Sequence, residues 1–290
     1  MAEITASMVK ELREMTGAGM MECKKALVDA SGDMERAIDL LRTRGLAAVA
    51  KKAGRATNEG LIATLVAADG LSAAMVEVNC ETDFVARNEL FGTYVAKIVK
   101  AVLDNAPADI DALKASFIDG ATIDDLLTDV IHTIGENIQV SRFVRPSVDC
   151  GAISSYIHGG GRMGILVQFK LGNIATAANE QFKVMAKDIA MQVAAANPGA
   201  VTRDGFAPEL IDREMAIYRA KAAESGKPEA IQLKIAEGNL KKFYQENALV
   251  EQAFVKDPDK TVLDVVNAVA KALGDTIEIV GFDRFAVGQG

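Results

Sequence analysis

The segment Glu77-Val78-Asn79-Cys80-Glu81-Thr82-Asp83-Phe84-Val85-Ala86-Arg87 gathers the residue types most able to act on another molecule. Cys80 is a thiol, but a thiol becomes a nucleophile only beside a base or a cation, and its neighbours are Asn79 and Glu81. Cysteine is also among the most buried residue types, so a small core residue is the better reading. The hydroxyl of Thr82 is placed to cap a helix by accepting from its free N–H groups, and Asp83 falls in the first turn, where the helix dipole favours an acid. Phe84 follows at the tip of a helix predicted over residues 83–103. Two readings of this ring stay open. It lies seven positions before Phe91 and extends the apolar stripe Phe91, Val95, Ile98 and Val102, which makes it core; the level between is the polar Asn88, which leaves the ring overhanging the core edge.

Other chemistry is thin. His132 and His158 are the only histidines, and neither has a second His, Cys or acid at metal-ligand spacing, so no metal site and no cofactor are expected. His158 has no acidic partner nearby in sequence, which favours a contact or structural role over a general base. His158-Gly159-Gly160-Gly161-Arg162 resembles a phosphate cradle, but such a loop opens into a helix N-terminus, and this one opens into the strand Ile165 to Leu171; a flexible hairpin turn fits better. Neither a GxxxxGK[ST] loop nor a strand–GxGxxG–helix unit occurs, and pairs such as Asp124-Asp125 sit in helical runs that face solvent. The balance is that of a binder without bond-making chemistry of its own.

The chain that positions these residues has 290 residues, enough for about two folded units of ~100–200 residues each. Apolar residues make up 50% and charged residues 25%, which excludes widespread disorder. With 32 basic and 40 acidic residues the net charge is −8, a poor match to a task that depends on neutralising phosphates, so no direct nucleic-acid partner is expected. No window reaches ~18 consecutive apolar residues, the N-terminus lacks a signal-peptide layout, and Cys23, Cys80 and Cys150 form an odd, widely spaced set. The expectation is a cytoplasmic protein with no membrane association.

Residues 1–54 read as three short helices, broken at Thr16-Gly17-Ala18-Gly19 and at Ser31-Gly32-Asp33, with the basic, helix-prone stretch Ala47 to Arg55 as a tether. From Thr57 the pattern turns to strand, Asp69-Gly70 turn, strand and long helix, and this unit recurs from Gly151 with Phe182, Met185, Ile189 and Val193 on the second helix. A sharper repeat runs from Thr122-Ile123 to Gly135-Glu136-Asn137-Ile138 and from Thr261-Val262 to Gly274-Asp275-Thr276-Ile277, with threonine and glycine 13 apart in both (135 − 122 and 274 − 261). The fold class expected is α+β: a duplicated core of small antiparallel sheets covered by helices, residues 55–145 and 146–290. The second half carries a helical-hairpin insertion over about 208–256, broken at Ser225-Gly226-Lys227-Pro228; whether it makes a homodimer contact or is only an extension stays open.

Two stretches carry a family resemblance: EVNCETDFVAR, residues 77–87, and LREMTGAGMMECKKAL, residues 12–27, resemble the two signatures of elongation factor Ts, and the organisation is compatible over nearly the whole chain. The resemblance implies a ubiquitin-associated-like three-helix domain over 1–54, a two-part core and the hairpin. It implies guanine-nucleotide exchange on elongation factor Tu, bound as the GDP form and nucleotide-free. Thr82, Asp83, Phe84 and Val85 match the segment that intrudes beside the partner's nucleotide and displaces its magnesium ion. Ile134, Gly135 and Glu136 match a further contact stretch, as do Arg13, Met20 and Met21 near the N-terminus and His158 in the second half. Some members continue into a further C-terminal helix; this sequence stops at Gly290, so that contact is not carried over. Rival readings are an adaptor that holds a partner through residues 1–54 without touching its nucleotide, and an enzyme built on Cys80 or His158.

Overall fold

A computed structural model describes residues 4–16 and 18–289; Gly17, within the first expected helix break, and Gly290 lie outside the described residues. Three helices come first, α1 (Ala6–Thr16), α2 (Met20–Asp29) and α3 (Met34–Lys52). Leu12, Cys23, Ala26, Leu27 and Ala37 are fully buried between them. Ser31 and Gly32 adopt left-handed backbone, and Asp33 caps α3 by accepting the Arg36 N–H at 3.0 Å. The expected tether is in large part helix: α3 continues through Ala47–Lys52, because its alanines and lysines favour helix and no glycine interrupts them before Gly54.

The chain then forms β1 (Glu59–Val66), β2 (Ala73–Cys80), the four-residue helix α4 (Asp83–Ala86), α5 (Glu89–Asn105) and α6 (Ile110–Ala115). A two-residue ribbon, β3 (Phe117–Ile118) and β4 (Ala121–Thr122), leads into α7 (Ile123–Ile134) and β5 (Ile138–Val144). The sheet order is β1-β2-β5; β2 is buried along its whole length and pairs antiparallel with β5, from Met75 opposite Val144 to Cys80 opposite Ile138. The predicted helix 83–103 is therefore two helices. Asn88 is not a polar level of one stripe but the N-cap of α5, its side chain accepting the Leu90 N–H at 2.8 Å.

The second half repeats the plan with β6 (Gly151–His158), β7 (Met163–Leu171) and α8 (Glu180–Ala196). The hairpin helices α9 (Pro208–Ala223) and α10 (Glu229–Asn247) follow, then β8 (Ala253–Phe254), β9 (Asp257–Thr261), α11 (Val262–Leu273) and β10 (Ile277–Ala286), with sheet order β10-β7-β6. Phe169, Phe182, Ile189, Leu249 and Val262 are central to its core. Phe206 packs against Phe243 and Tyr244 beside the hairpin, with ring centroids 5.3 and 6.0 Å away. The fold is α+β.

The duplicated punctuation has a physical basis. Thr122 caps α7 by accepting the Asp125 N–H at 3.0 Å, and Thr261 caps α11 by accepting that of Asp264 at 3.1 Å. Both helices end on glycines in the left-handed region, Gly135 at φ +89° and Gly274 at φ +63°, where a side chain would be strained. By contact density the described residues of 1–63, 74–145 and 285–290 form one compact unit, and 64–73 with 146–284 form another. Among the described residues no helix is long and apolar enough to cross a membrane.

Candidate functional site

The turn after β2 is built by one acid from the far end of α7. The carboxylate of Glu136 accepts the N–H groups of Glu81 and Thr82, both at 3.0 Å, and the Thr82 hydroxyl at 2.6 Å. The Thr82 Oγ1 in turn accepts the Val85 N–H at 3.4 Å, which starts α4. Glu81 returns the grip: its carboxylate accepts the Asn137 N–H at 2.6 Å and pairs with Arg55 at 3.3 Å. The Asn137 N–H is the main reason that the Glu81 carboxyl sits below the usual range, with Arg55 adding to it. Buried Asn137 also donates from its side chain to the Arg55 carbonyl at 2.9 Å.

This clasp decides what Phe84 does. Val85 is buried and anchors α4, while Phe84, one position earlier, is 83% exposed. Phe91 is the ring that fills the core, at 0% exposure, a burial that contributes about 1.5–3 kcal/mol. The core reading of Phe84 is thereby overturned. The helix break at Asn88 rotates α4 out of line with the α5 stripe and leaves the ring at the tip. Asp83 beside it pairs with Arg87 at 3.0 Å, an exposed i,i+4 pair of small energetic weight.

The sequence-predicted residues fall into separate places. Thr82 to Val85 and Ile134 to Glu136 come together at one corner. Arg13, Met20 and Met21 are exposed on α1 and α2, with Met21 at 74%. Beside Met21, Glu22 accepts from or pairs with His132 of α7 at 2.8 Å. His158 is exposed at the end of β6, its Nδ1 3.0 Å from the Tyr156 hydroxyl. Gly159, Gly160 and Gly161 all take positive φ and join β6 to β7 as a hairpin, with His158 opposite Met163, so the loop has no helix N-terminus to hold a phosphate.

Not every residue of the Glu77–Arg87 motif serves the tip. Glu77 is a buried carboxylate held by Arg142, whose Nε lies 2.8 Å from it and whose guanidinium stacks 4.2 Å from the Phe285 ring centroid. Glu77 also accepts the Gly288 N–H at 3.0 Å, tying the last residues to β2. Cys80 is buried, donates to the Thr82 carbonyl at 3.2 Å, and has its pKa pushed up to about 12 by desolvation, with Glu136 adding to it. It is a buried residue at the end of β2 whose raised pKa disfavours the nucleophilic thiolate. Among the described residues no three His, Cys, Asp or Glu side chains are placed to hold a metal ion.

Beyond the contact role that the resemblance implies for Glu136, sequence reasoning did not find that its carboxylate holds the Glu81–Thr82 turn. A signal was present: the left-handed glycine is followed by an acid in both halves. Asp275, after Gly274, accepts the Asn173 N–H at 3.1 Å and the Thr176 hydroxyl at 2.6 Å, holding the turn after β7 in the same manner.

Residues 81–289 match the family model described as elongation factor TS. Elongation factor Ts of Desulfovibrio desulfuricans is 48% identical over 286 residues, covering 98% of each chain. That of Trichlorobacter lovleyi is 47% identical over 290 residues, covering 99% of this chain and 93% of the relative, and that of Clostridium kluyveri is 46% identical over 290 residues, covering 99% and 94%. With similarity of this extent over nearly the whole length, the chain belongs to the elongation factor Ts family.

Proposed function

We propose that this chain binds elongation factor Tu, both GDP-bound and nucleotide-free, and promotes the release of GDP and its replacement by GTP by displacing the partner's magnesium ion. The observation that carries the reading is Phe84: a large apolar ring, exposed on a turn that the chain fixes with five hydrogen bonds centred on Glu136, Thr82 and Glu81. Leaving an aromatic ring in water is unfavourable, so a ring held out on a rigid turn is suited to enter a pocket of another molecule.

The exchange needs no bond-making by this chain. Mg²⁺ and backbone N–H groups hold the diphosphate on the partner. A ring seated among the groups that orient the magnesium ligands loosens the metal, and loss of that charge weakens the diphosphate. By linkage, whatever factor favours the nucleotide-free partner for this chain disfavours GDP by the same factor, and GTP later expels the chain by the same reciprocity. Asp83 and Val85 flank the ring, Thr82 shapes its turn, and Arg13, Met20, Met21, Ile134, Gly135, Glu136 and His158 supply further partner contacts. The working compartment in this reading is the cytoplasm.

The test is release of fluorescent GDP from elongation factor Tu in stopped flow, with and without the chain. Phe84→Ala lowers the maximal release rate while the melting temperature stays unchanged, because the ring is outside the core. Equal maximal rates for variant and parent reject the wedge.

A further inference from the structure

The two surface patches assigned to partner contact in the first unit are joined through one helix. Met20 and Met21 open α2, and the next residue, Glu22, meets His132 near the end of α7 at 2.8 Å. Four positions after His132, Glu136 clasps the turn that carries Phe84. The path from the methionines to the ring therefore crosses a single helix end. Two further ties hold α3 along the same helix. Lys52 Nζ donates to the Ile131 carbonyl at 3.0 Å, and Arg42 pairs with Asp125 at 2.5 Å. Between them Gly45 is buried, and a Cβ built on it would lie 3.2 Å from Thr128 Cγ2, so α3 and α7 approach as closely as a glycine allows.

We infer that α7 is a strut that sets the spacing between the methionine patch and the Phe84 tip, with Gly45, Lys52 and the Glu22–His132 pair as its positioning residues. The inference rests on the exchange reading and deepens it. Two contact patches on a flexible tether engage a partner at the cost of ordering the tether; two patches on one strut do so without that loss. The isolated Glu22–His132 pair is half exposed and weak by itself, so the spacing depends on the close α3–α7 packing with the three polar ties acting together. Gly45, Glu22 and His132 are not among the residues bonded in the clasp, and Lys52 reaches it only through its charge near Glu81, so loosening the α3–α7 packing leaves the five hydrogen bonds of the clasp in place.

Two measurements test this on the full chain. The first uses spin labels at Val28→Cys on α2 and Ala96→Cys on α5, with Cys150→Ser; Cys23 and Cys80 are buried and stay unlabelled. Pulsed-dipolar spectroscopy should give one narrow distance distribution, which Gly45→Leu broadens. A broad distribution in the parent overturns the strut. The second is GDP release from elongation factor Tu as a function of chain concentration. Gly45→Leu raises the half-saturating concentration on the order of five- to tenfold, within the range of typical coupling between sites, and keeps the maximal rate. Glu22→Ala with Arg42→Met, exposed changes that spare the core and keep the Lys52 charge near Glu81, shifts it in the same direction and covers the case in which Gly45→Leu does not fold. Unchanged half-saturation alongside a broadened distance distribution overturns the positioning role. If the parent chain accelerates no release at any concentration, the exchange reading falls and this inference with it, a result distinct from the other two.

Discussion

Glu136→Ala removes the acceptor of three hydrogen bonds at once, from the Glu81 N–H, the Thr82 N–H and the Thr82 hydroxyl. Hydrogen bonds to a charged group contribute about 1.5–3 kcal/mol each when desolvated. Here the donors are only half buried, water replaces the lost acceptor in part, and about 2 kcal/mol for the set is the reasonable figure. That is a factor of roughly 30 in the equilibrium between the clasped turn and a loose one. The apparent affinity falls in proportion to the clasped fraction that is lost, so the half-saturating concentration for GDP release rises by at most that factor of roughly 30 while the maximal rate is kept. Glu136→Gln keeps neutral hydrogen bonds of about half the strength, and its shift should be smaller, about fivefold at most. The discriminating measurement is a double-mutant cycle with Thr82→Ala, read both in exchange and in amide hydrogen exchange at Glu81 and Thr82 of the free chain. A clasp predicts a coupling of about 1 kcal/mol or more; effects that add within about 0.5 kcal/mol would mean that Glu136 acts on the partner independently, and the clasp argument fails.

Other consequences follow from the same corner and its repeat. Cys80, with its pKa at about 12, should resist alkylation at about pH 8 in the native chain while half-buried Cys150 reacts, as mass mapping would reveal; rapid loss of the Cys80 thiol contradicts its burial. Glu81 has a folded-state pKa below its unfolded one, so its stabilising contribution is complete above the ordinary glutamate pKa of ~4.3 and disappears as pH falls through the depressed value. The melting-temperature gap between parent and Glu81→Gln should therefore close on acidification from about pH 6 to 3, and a gap that widens refutes the assignment. Gly274→Ala, at φ +63° with open space around it, should cost about 1–2 kcal/mol from backbone strain alone, seen as a lower midpoint in urea with an unchanged slope.

What was legible in the sequence is what chemistry along the chain dictates. Thr122 and Gly135, Thr261 and Gly274, and Asp33 after Ser31-Gly32 mark helix ends through bonds to neighbours three or four residues away. The Asn88 cap was equally local, but Phe84 and Phe91 at helical spacing outweighed a single polar residue in the reading, and the break was missed. The bonds that give the site its shape are long-range. Glu136 reaches Thr82 across 54 positions, Arg142 reaches Glu77 across 65, and Glu22 reaches His132 across 110. Hydrophobic periodicity identifies which face of an element is buried, not which acid meets which N–H group, so Glu136 was legible as a contact residue by resemblance but not as the acceptor that holds the Thr82 turn.

The second half separates scaffold from function. After β7 the chain again makes a turn held by an acid from beyond the glycine stop, with Asn173 accepting the Ala175 N–H and Asn179 capping α8 as Asn88 caps α5. Counted from the capping residue, buried Thr176 stands where Val85 stands, and exposed Ala175 stands where Phe84 stands. Both halves thus keep the acid clasp, the short helix and the buried anchor, which are what the turn needs in order to fold. Only one keeps a ring. If the ring served packing, its loss would leave a cavity to be filled at the second turn; Ala175 is exposed and leaves none. The difference between the copies therefore falls on a side chain that folding does not require, which is where a residue selected for contact with another molecule belongs.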